Sequence, residues 1–506
     1  MNKNSIKAIF ISGIGALINY AISFLLTPYI TNNVGIDAYG FVSIAKTFVS
    51  YASIITLALT VFIVRYITIH YHKKEFVEAA SYYSSSLNAC VKLSLIILLT
   101  SSIMIFNLDR MINIPNELIV SVKLLFLLVF VNFAITTIST PLTASVYIKN
   151  RIDVIGIIKI IGYSIEAIAM IMLFTIFKPS VWFVGAGALI SSIISIVLYW
   201  KFTANNTPEL KYDNSLVSNE KTKDLLNNGI WSSINQLGNT LNSGLDLLIS
   251  NLMLSGIETG QIAVAKTIGG MASAFEEMIF QVTQPDLLKS YSAGDVNNFI
   301  SVLKEKMKIC GFFGATIFAG FFALGILYYK LWLPGQDFQA LYILTVITLM
   351  NHVTDSLMRP VYYVSTLTVR NKIPCWITIG GGILNIAGMF ILLKHTNLGV
   401  YSVVITTAVI MISINMIFNP LYAMWCLNYS KKALYPTIIK HLCATALMCA
   451  IFILMTRMIN PNSWIGLILS AGCMFVVGML VYSIIQFGFK KARVYFRNCI
   501  SVILHN

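Results

Sequence analysis

The sequence predicts an all-α integral membrane protein: fourteen transmembrane helices, set out as two parallel six-helix lobes plus two extra C-terminal helices. Three observations lead there. The 506 residues are 57% hydrophobic and only 11% charged, whereas a soluble domain is about 45–50% apolar and about 25% charged. Apolar stretches close to the roughly 20 residues that a spanning helix needs recur from end to end. The second half of the chain also repeats the residue spacing of the first. Composition alone excludes a soluble enzyme and a disordered scaffold.

The spans are expected at 8–31, 40–66, 86–106, 117–143, 152–177, 180–201, 226–254, 260–288, 309–330, 338–366, 373–394, 397–425, 434–457 and 462–487. Lys3 and Lys7 lead into the apolar run Ala8 to Ile30, which is too long for a signal-peptide core and has no small-residue cleavage site. The first helix is therefore expected to stay. Residues 1–201 form the first lobe, 202–225 a polar cytoplasmic linker containing Pro208, and 226–425 the second lobe. Residues 426–487 supply helices thirteen and fourteen, and 488–506 a basic amphipathic tail suited to the membrane surface.

Charge sets the orientation. With the N-terminus inside, 23 of the 35 lysines and arginines lie on the cytoplasmic side. Five (Arg110, Lys178, Lys330, Lys394 and Arg457) lie opposite, and seven fall within spans. The positive-inside rule then predicts cytoplasmic N- and C-termini. It also accounts for the net charge of +15 without a nucleic-acid partner. The eight cysteines show no C-x-x-C pair and lie mostly in apolar segments, as reduced packing residues do. There is no G-x-x-x-x-G-K-[ST] phosphate loop. His70 and His72 lack partners at metal-ligand spacing, and His352 reads as a packed histidine. No catalytic residue, metal site or cofactor is expected.

The internal repeat is the most informative pattern. Gly13-Ile14 and Ile18-Asn19 in span 1 match Gly229-Ile230 and Ile234-Asn235 in span 7. Gly40 followed by Ala45-Lys46-Thr47 in span 2 matches Gly260 followed by Ala265-Lys266-Thr267 in span 8. Asn132 and Pro141 in span 4 match Asn351 and Pro360 in span 10, and Ile161-Gly162 matches Ile379-Gly380. The loops Lys149-Asn150-Arg151-Ile152 and Arg370-Asn371-Lys372-Ile373 keep the register. Because six helices is an even number, corresponding helices run the same way and the repeat is parallel. Such repeats enclose a cavity that opens to either face as the lobes rock, the plan of an alternating-access transporter.

This layout resembles the multidrug/oligosaccharidyl-lipid/polysaccharide exporter superfamily, also called MATE-like. Gly35-Ile-Asp-Ala-Tyr-Gly40-Phe, the Arg65-Tyr66 exit and the serine-rich run Ser81 to Ser86 resemble its polysaccharide (O-antigen and capsule repeat-unit) flippase branch. The resemblance implies a flippase in the bacterial inner membrane. Its cargo would be an undecaprenyl-diphosphate-linked oligosaccharide moved to the outer leaflet. It also implies membrane lipid, a polysaccharide polymerase and a chain-length regulator as partners. The first span carries neither the acidic residue typical of proton-coupled drug exporters nor the Arg/Asp cluster typical of lipid II flippases.

Charges inside the spans are the candidate site residues, since each costs at least about 2.5–3.5 kcal/mol at the bilayer centre. Lys92, Lys159 and Lys440 lie near the cytoplasmic boundary and are expected to snorkel. Snorkelling explains Lys46 or Lys266 singly, but not why equivalent positions carry the same residue. Two ammonium groups across a cavity would suit a diphosphate, with Lys123 as a further contact. Asp355 and Arg359 are four apart on one helical face. They form either an internal ion pair beside Pro360 or a phosphate contact held in place by a carboxylate. The repeat puts Thr136 and Thr140 at the matching positions. Glu166, Asp246, Glu276 and Glu277 either pair with Lys159, Lys266 or Arg359, or stay as neutral protonated carboxyls, or form a proton- or sodium-coupling site. Pro28, Pro141, Pro285 and Pro360 are potential hinges. Two other readings stand beside the flippase: a cation-coupled small-molecule exporter of the same fold, and a non-transporting scaffold of a polysaccharide synthase.

Overall fold

In the computed structural model the backbone is described for residues 3–368 and 370–488. Side chains are described for all of these except 3–14, 16–17, 228, 231–232, 235 and 243. The expected tail from 489 onward and the Asn235 side chain lie outside that set. The described chain is helical, with no strand. That is the form lipid demands, since a helix satisfies its own backbone hydrogen bonds. Every predicted span falls on helix. Among the described residues, eleven helices are long and apolar enough to cross a membrane. The spans expected at 8–31, 226–254 and 260–288 are not among the eleven, so for these the fourteen-span count rests on the sequence. Leu99, Ile103 and Phe106 turn 68%, 69% and 79% of their surface outward, which a lipid-facing helix tolerates and a soluble one does not. The seven described cysteines are free. The chain is a multi-pass integral membrane protein.

It divides into two compact units, residues 1–263 and 264–506. The first contains α1 (Lys3–Asn33), α2 (Ile36–Thr60), α3 (Ile63–His72), α4 (Phe76–Phe106), α5 (Leu108–Met111), α6 (Ile119–Ser139), α7 (Ala144–Ile148), α8 (Asp153–Ile176), α9 (Trp182–Asn206), α10 (Asn219–Ser243), α11 (Asp246–Met253) and the start of α12 (Gly256–Ser292). The break therefore falls beyond the 202–225 linker, and span 7 packs with the spans before it. Glycine explains why. A Cβ on Gly229 of α10 would lie 1.9 Å from the Ala58 carbonyl oxygen of α2, and one on Gly260 would lie 2.1 Å from the Ile36 carbonyl oxygen. Gly40 meets the Gly260 backbone in turn, at 3.1 Å. The two glycines matched by the repeat thus pack against each other. Gly35, at φ 124°, makes the turn between α1 and α2. An amide clasp ties α11 to the segment after α5: Asn113 N–H donates to Asn251 Oδ1 at 2.9 Å, and Asn113 Nδ2 donates to the Asn251 carbonyl at 2.8 Å.

The serine-rich run has a structural task. Ser84 and Ser85 are fully buried on α4, and their hydroxyl oxygens accept from the backbone N–H of Asp213 (3.1 Å) and Ser218 (2.8 Å). Ser81 donates to the Leu216 carbonyl at 2.9 Å. Lys221 closes the strap by pairing with Glu78 and lying 4.6 Å above the Tyr82 ring. The linker is a fastened segment of the first unit.

The second unit comprises the rest of α12 with α13 (Val296–Trp332), α14 (Phe338–Leu367), α15 (Lys372–His395), α16 (Tyr401–Ser413), α17 (Asn419–Cys426), α18 (Tyr435–Ile459) and α19 (Trp464–Phe487). The last two helices are anchored by His441, which is fully buried. Its Nε2 lies 2.9 Å from the Val353 carbonyl and its Nδ1 2.7 Å from the Tyr482 hydroxyl. A carbonyl only accepts, so Nε2 carries the proton and, in the neutral ring, Nδ1 accepts from Tyr482. Of the four prolines expected to act as hinges, Pro141 interrupts its helix with a 3-10 turn, Pro141–Thr143. Pro28, Pro285 and Pro360 stay inside continuous helices. A π turn, Ile414–Phe418, sits between α16 and α17.

Candidate functional site

The densest set of intramembrane charges lies in the second unit, where α12, α14 and the π turn meet. Arg359 is its centre, 12% exposed. One guanidinium nitrogen donates to Glu277 Oε2 at 2.6 Å. Another reaches Ser273 Oγ at 2.9 Å, Glu276 Oε2 at 3.4 Å and Asp355 Oδ2 at 2.9 Å. The Asp355–Arg359 spacing does place both groups on one face of α14, and the internal ion pair forms. Glu276 is 1% exposed and also meets His352 Nδ1 at 3.2 Å, while Glu277 keeps 46% of its side chain exposed. Adjacent residues point about 100° apart on a helix, yet both reach Arg359, because a guanidinium presents donors on two edges.

The ring of partners is wider than the charges. Tyr362 donates its hydroxyl toward Asp355 Oδ1 (2.9 Å) and Asn415 Oδ1 (2.7 Å), and Asn415 Nδ2 donates to Thr354 Oγ1 at 3.2 Å. Asn415 comes from the π turn, a distortion that recurs at functional sites. Ser273, Tyr362 and Asn415 carry no signal in sequence, since each is an ordinary polar residue of a membrane helix. His352, expected to be a lone packed histidine, is instead a member of the cluster. Glu276, His352 and Asp355 hold one ligand atom apiece within 4.8 Å of one another. Arg359 bonds the same two carboxylates, so a cation there would compete with the guanidinium. One oxygen of Glu276 and Nε of Arg359 are buried without a partner among the described residues.

The first unit distributes its charges differently. Lys46 is exposed on α2, and its positive field reaches Glu166 of α8. Glu166 and Lys159 line a cavity of ≈ 450 Å³. Lys123 pairs with Asp109 and donates to the Phe106 carbonyl at 2.9 Å, which fastens the start of α6 to the end of α4. That ammonium holds the Asp109 carboxyl below the usual carboxylate range. Asp246 is buried in the first turn of α11, just past the break at Gly244, whose carbonyl accepts from Tyr51 at 2.8 Å. Lys266 is half-buried on the α12 stretch of the second unit.

Comparison with known proteins bears on what such a molecule is. The fold is similar to that of the lipid II flippase MurJ in its inward closed conformation, with a TM-score of 0.63 at 16% identity, covering 98% of this chain and 100% of that one. It is also similar to a MATE protein in complex with MaL6, with a TM-score of 0.60 at 15% identity over 85% of this chain and 99% of that one. An uncharacterized membrane protein of Bacillus subtilis (strain 168), EpsK, is 28% identical over 452 residues, 89% of each chain. Residues 5–290 match the family described as polysaccharide biosynthesis protein. With more than half its length matched, the chain belongs to the polysaccharide biosynthesis protein family.

Proposed function

We propose that this protein is a flippase of the bacterial inner membrane. It would carry prenyl-diphosphate-linked oligosaccharide repeat units from the cytoplasmic to the outer leaflet, for O-antigen, capsule or a related surface polysaccharide. The carrying observation is likeness to a lipid II flippase over 98% of the chain, in a chain that belongs to a polysaccharide biosynthesis family. The diphosphate charge is what makes unassisted crossing slow. Lys46 and Lys266 each supply one ammonium from equivalent points of the repeat, and Lys123 is already engaged by Asp109. Arg359 is bonded to three carboxylates, so it acts first as a latch joining α12 to α14. It becomes available to phosphate only when a carboxylate is neutralised. The unpartnered oxygen of Glu276 is the place where a proton or small cation would do that, coupling the latch to the transport cycle.

The test is a strain lacking this gene, assayed for surface polymer and for the leaflet holding prenyl-diphosphate-linked sugars. Lost polymer with repeat units stranded inside is the expected result. Normal polymer with raised sensitivity to a cationic drug would move the protein to small-molecule export. Full polymer in cells carrying Lys46→Met with Lys266→Met would favour a scaffold over a diphosphate carrier.

A further inference from the structure

The cavity in the first unit is lined in part by residues that the repeat aligns with members of the second unit's charge cluster. The repeat aligns Asn132, Thr136 and Thr140 of the first unit with Asn351, Asp355 and Arg359 of the second. In the second unit Asp355 and Arg359 belong to an ion-pair network. In the first, two threonines replace the aspartate and the arginine, and ≈ 450 Å³ is left open, within the range of small-ligand sites. Helices α8 and α9 approach closely behind it, since a Cβ on Gly162 would lie 2.8 Å from Ser191 Oγ and 3.2 Å from Ser195 Oγ. Ser191 and Ser195 also line the cavity, and the Ser195 hydroxyl donates to the Ser191 carbonyl at 2.8 Å.

The lining has a definite chemistry. Lys159, Tyr163 and Glu166 follow one another along one face of α8 and all line the cavity. They span about 10 Å at the helical rise of 1.5 Å per residue. Among the described residues, Asn132, Lys159 and Glu166 make no hydrogen bond that would occupy their polar groups. The lining charges cancel, one ammonium against one carboxylate, so the site is ill-suited to a dianion such as a diphosphate. It is well-suited to a polyol. The Asn132 amide donates and accepts, the Lys159 ammonium donates and the Glu166 carboxylate accepts, so sugar hydroxyls can be bonded in both senses, and a tyrosine ring offers a face to the C–H side of a pyranose. The cavity also lies in the half of the unit that the charge bias makes cytoplasmic, where the cargo would enter.

Resting on the transport reading above, we propose that this cavity is a carbohydrate subsite. It would take one or two uncharged sugar units of the cargo while the diphosphate is held elsewhere. The test uses the full-length protein in cells fed a tritiated sugar that enters the repeat unit. A benzoylphenylalanine cross-linker replaces Tyr163 in one variant and the lipid-facing Leu99 in another. After irradiation and mild acid cleavage of the diphosphate, sugar label should remain on the Tyr163 variant at about tenfold or more over the Leu99 variant. It should vanish in a strain that cannot make the repeat unit. Label no higher at 163 than at 99 overturns the subsite. As a second arm, Glu166→Gln and Asn132→Leu, expressed at wild-type level, should lower polymer export about tenfold, and unchanged export overturns the proposal. If polymer is lost on gene deletion but position 163 takes no sugar, the subsite alone falls. If deletion leaves polymer and leaflet distribution normal, the transport reading falls first.

Discussion

Arg359 carries the sharpest residue-scale consequence. Its guanidinium is the shared partner of Asp355, Glu276 and Glu277, and Glu276 is buried almost completely. Removing one member of such a network strands the rest in low dielectric, at a cost of about 3–5 kcal/mol. Arg359→Ala should therefore lower the unfolding temperature of the purified protein in detergent markedly. Arg359→Lys keeps the charge but loses the two-edged donor geometry, and should fall between. A wild-type melting curve for Arg359→Ala would show that the network contributes nothing to stability. Half of this cluster was legible, because Asp355 and Arg359 share a helical face by spacing alone. Glu276 and Glu277 stood among the possible partners of Arg359, but nothing in the order of residues says which face of α12 will turn toward α14.

At the scale of elements, close approach of helices is the controlling feature. Gly260 leaves room for the Ile36 carbonyl, whereas Gly270, on the same helix, has nothing within 4 Å of where a Cβ would stand. Gly260→Ala should cost about 1–3 kcal/mol as overpacking, measured by thermal unfolding, while Gly270→Ala should be neutral or slightly stabilising. Equal effects would mean that the α2–α12 contact is not tight. The serine strap gives a second expectation. Ser84→Ala with Ser85→Ala leaves two backbone N–H groups of the linker without their buried acceptors, about 1–3 kcal/mol each. Protease cleavage between 207 and 218 should speed up in the double variant, and an unchanged rate would show the linker held by other contacts. The sequence displayed the serines as a run, but their partners stand 129 to 135 positions away. Only the folded chain brings the two together.

For the whole molecule, the distribution of lysine and arginine makes a directional statement. In a variant whose native cysteines are alanine, Lys211→Cys should resist a membrane-impermeant thiol reagent in intact cells, and Asn397→Cys should react. The reverse pattern would invert the orientation and with it the direction assigned to transport. The same experiment, extended along α1, α10–α11 and α12, checks the three spans that stand on sequence pattern. Of these, α10 and α12 are rich in polar residues, and polarity inside a membrane is tolerated where a helix faces protein or a cavity.

By itself, the sequence determined the medium, the helical class and the repeat. Each rests on quantities that accumulate along the chain: apolar length, charge bias and the spacing of small and polar residues. Tertiary structure decided where compact units begin and end, and made Lys123 a fastening residue. It also gave Arg359 three carboxylates and left a cavity in the first unit beside the threonines that the repeat aligns with Asp355 and Arg359. Those outcomes depend on which helix faces which, and on distances of a few ångströms between residues remote in sequence. One glycine that lets two backbones touch, or a threonine where its repeat partner is an arginine, settles them locally without leaving a periodic mark.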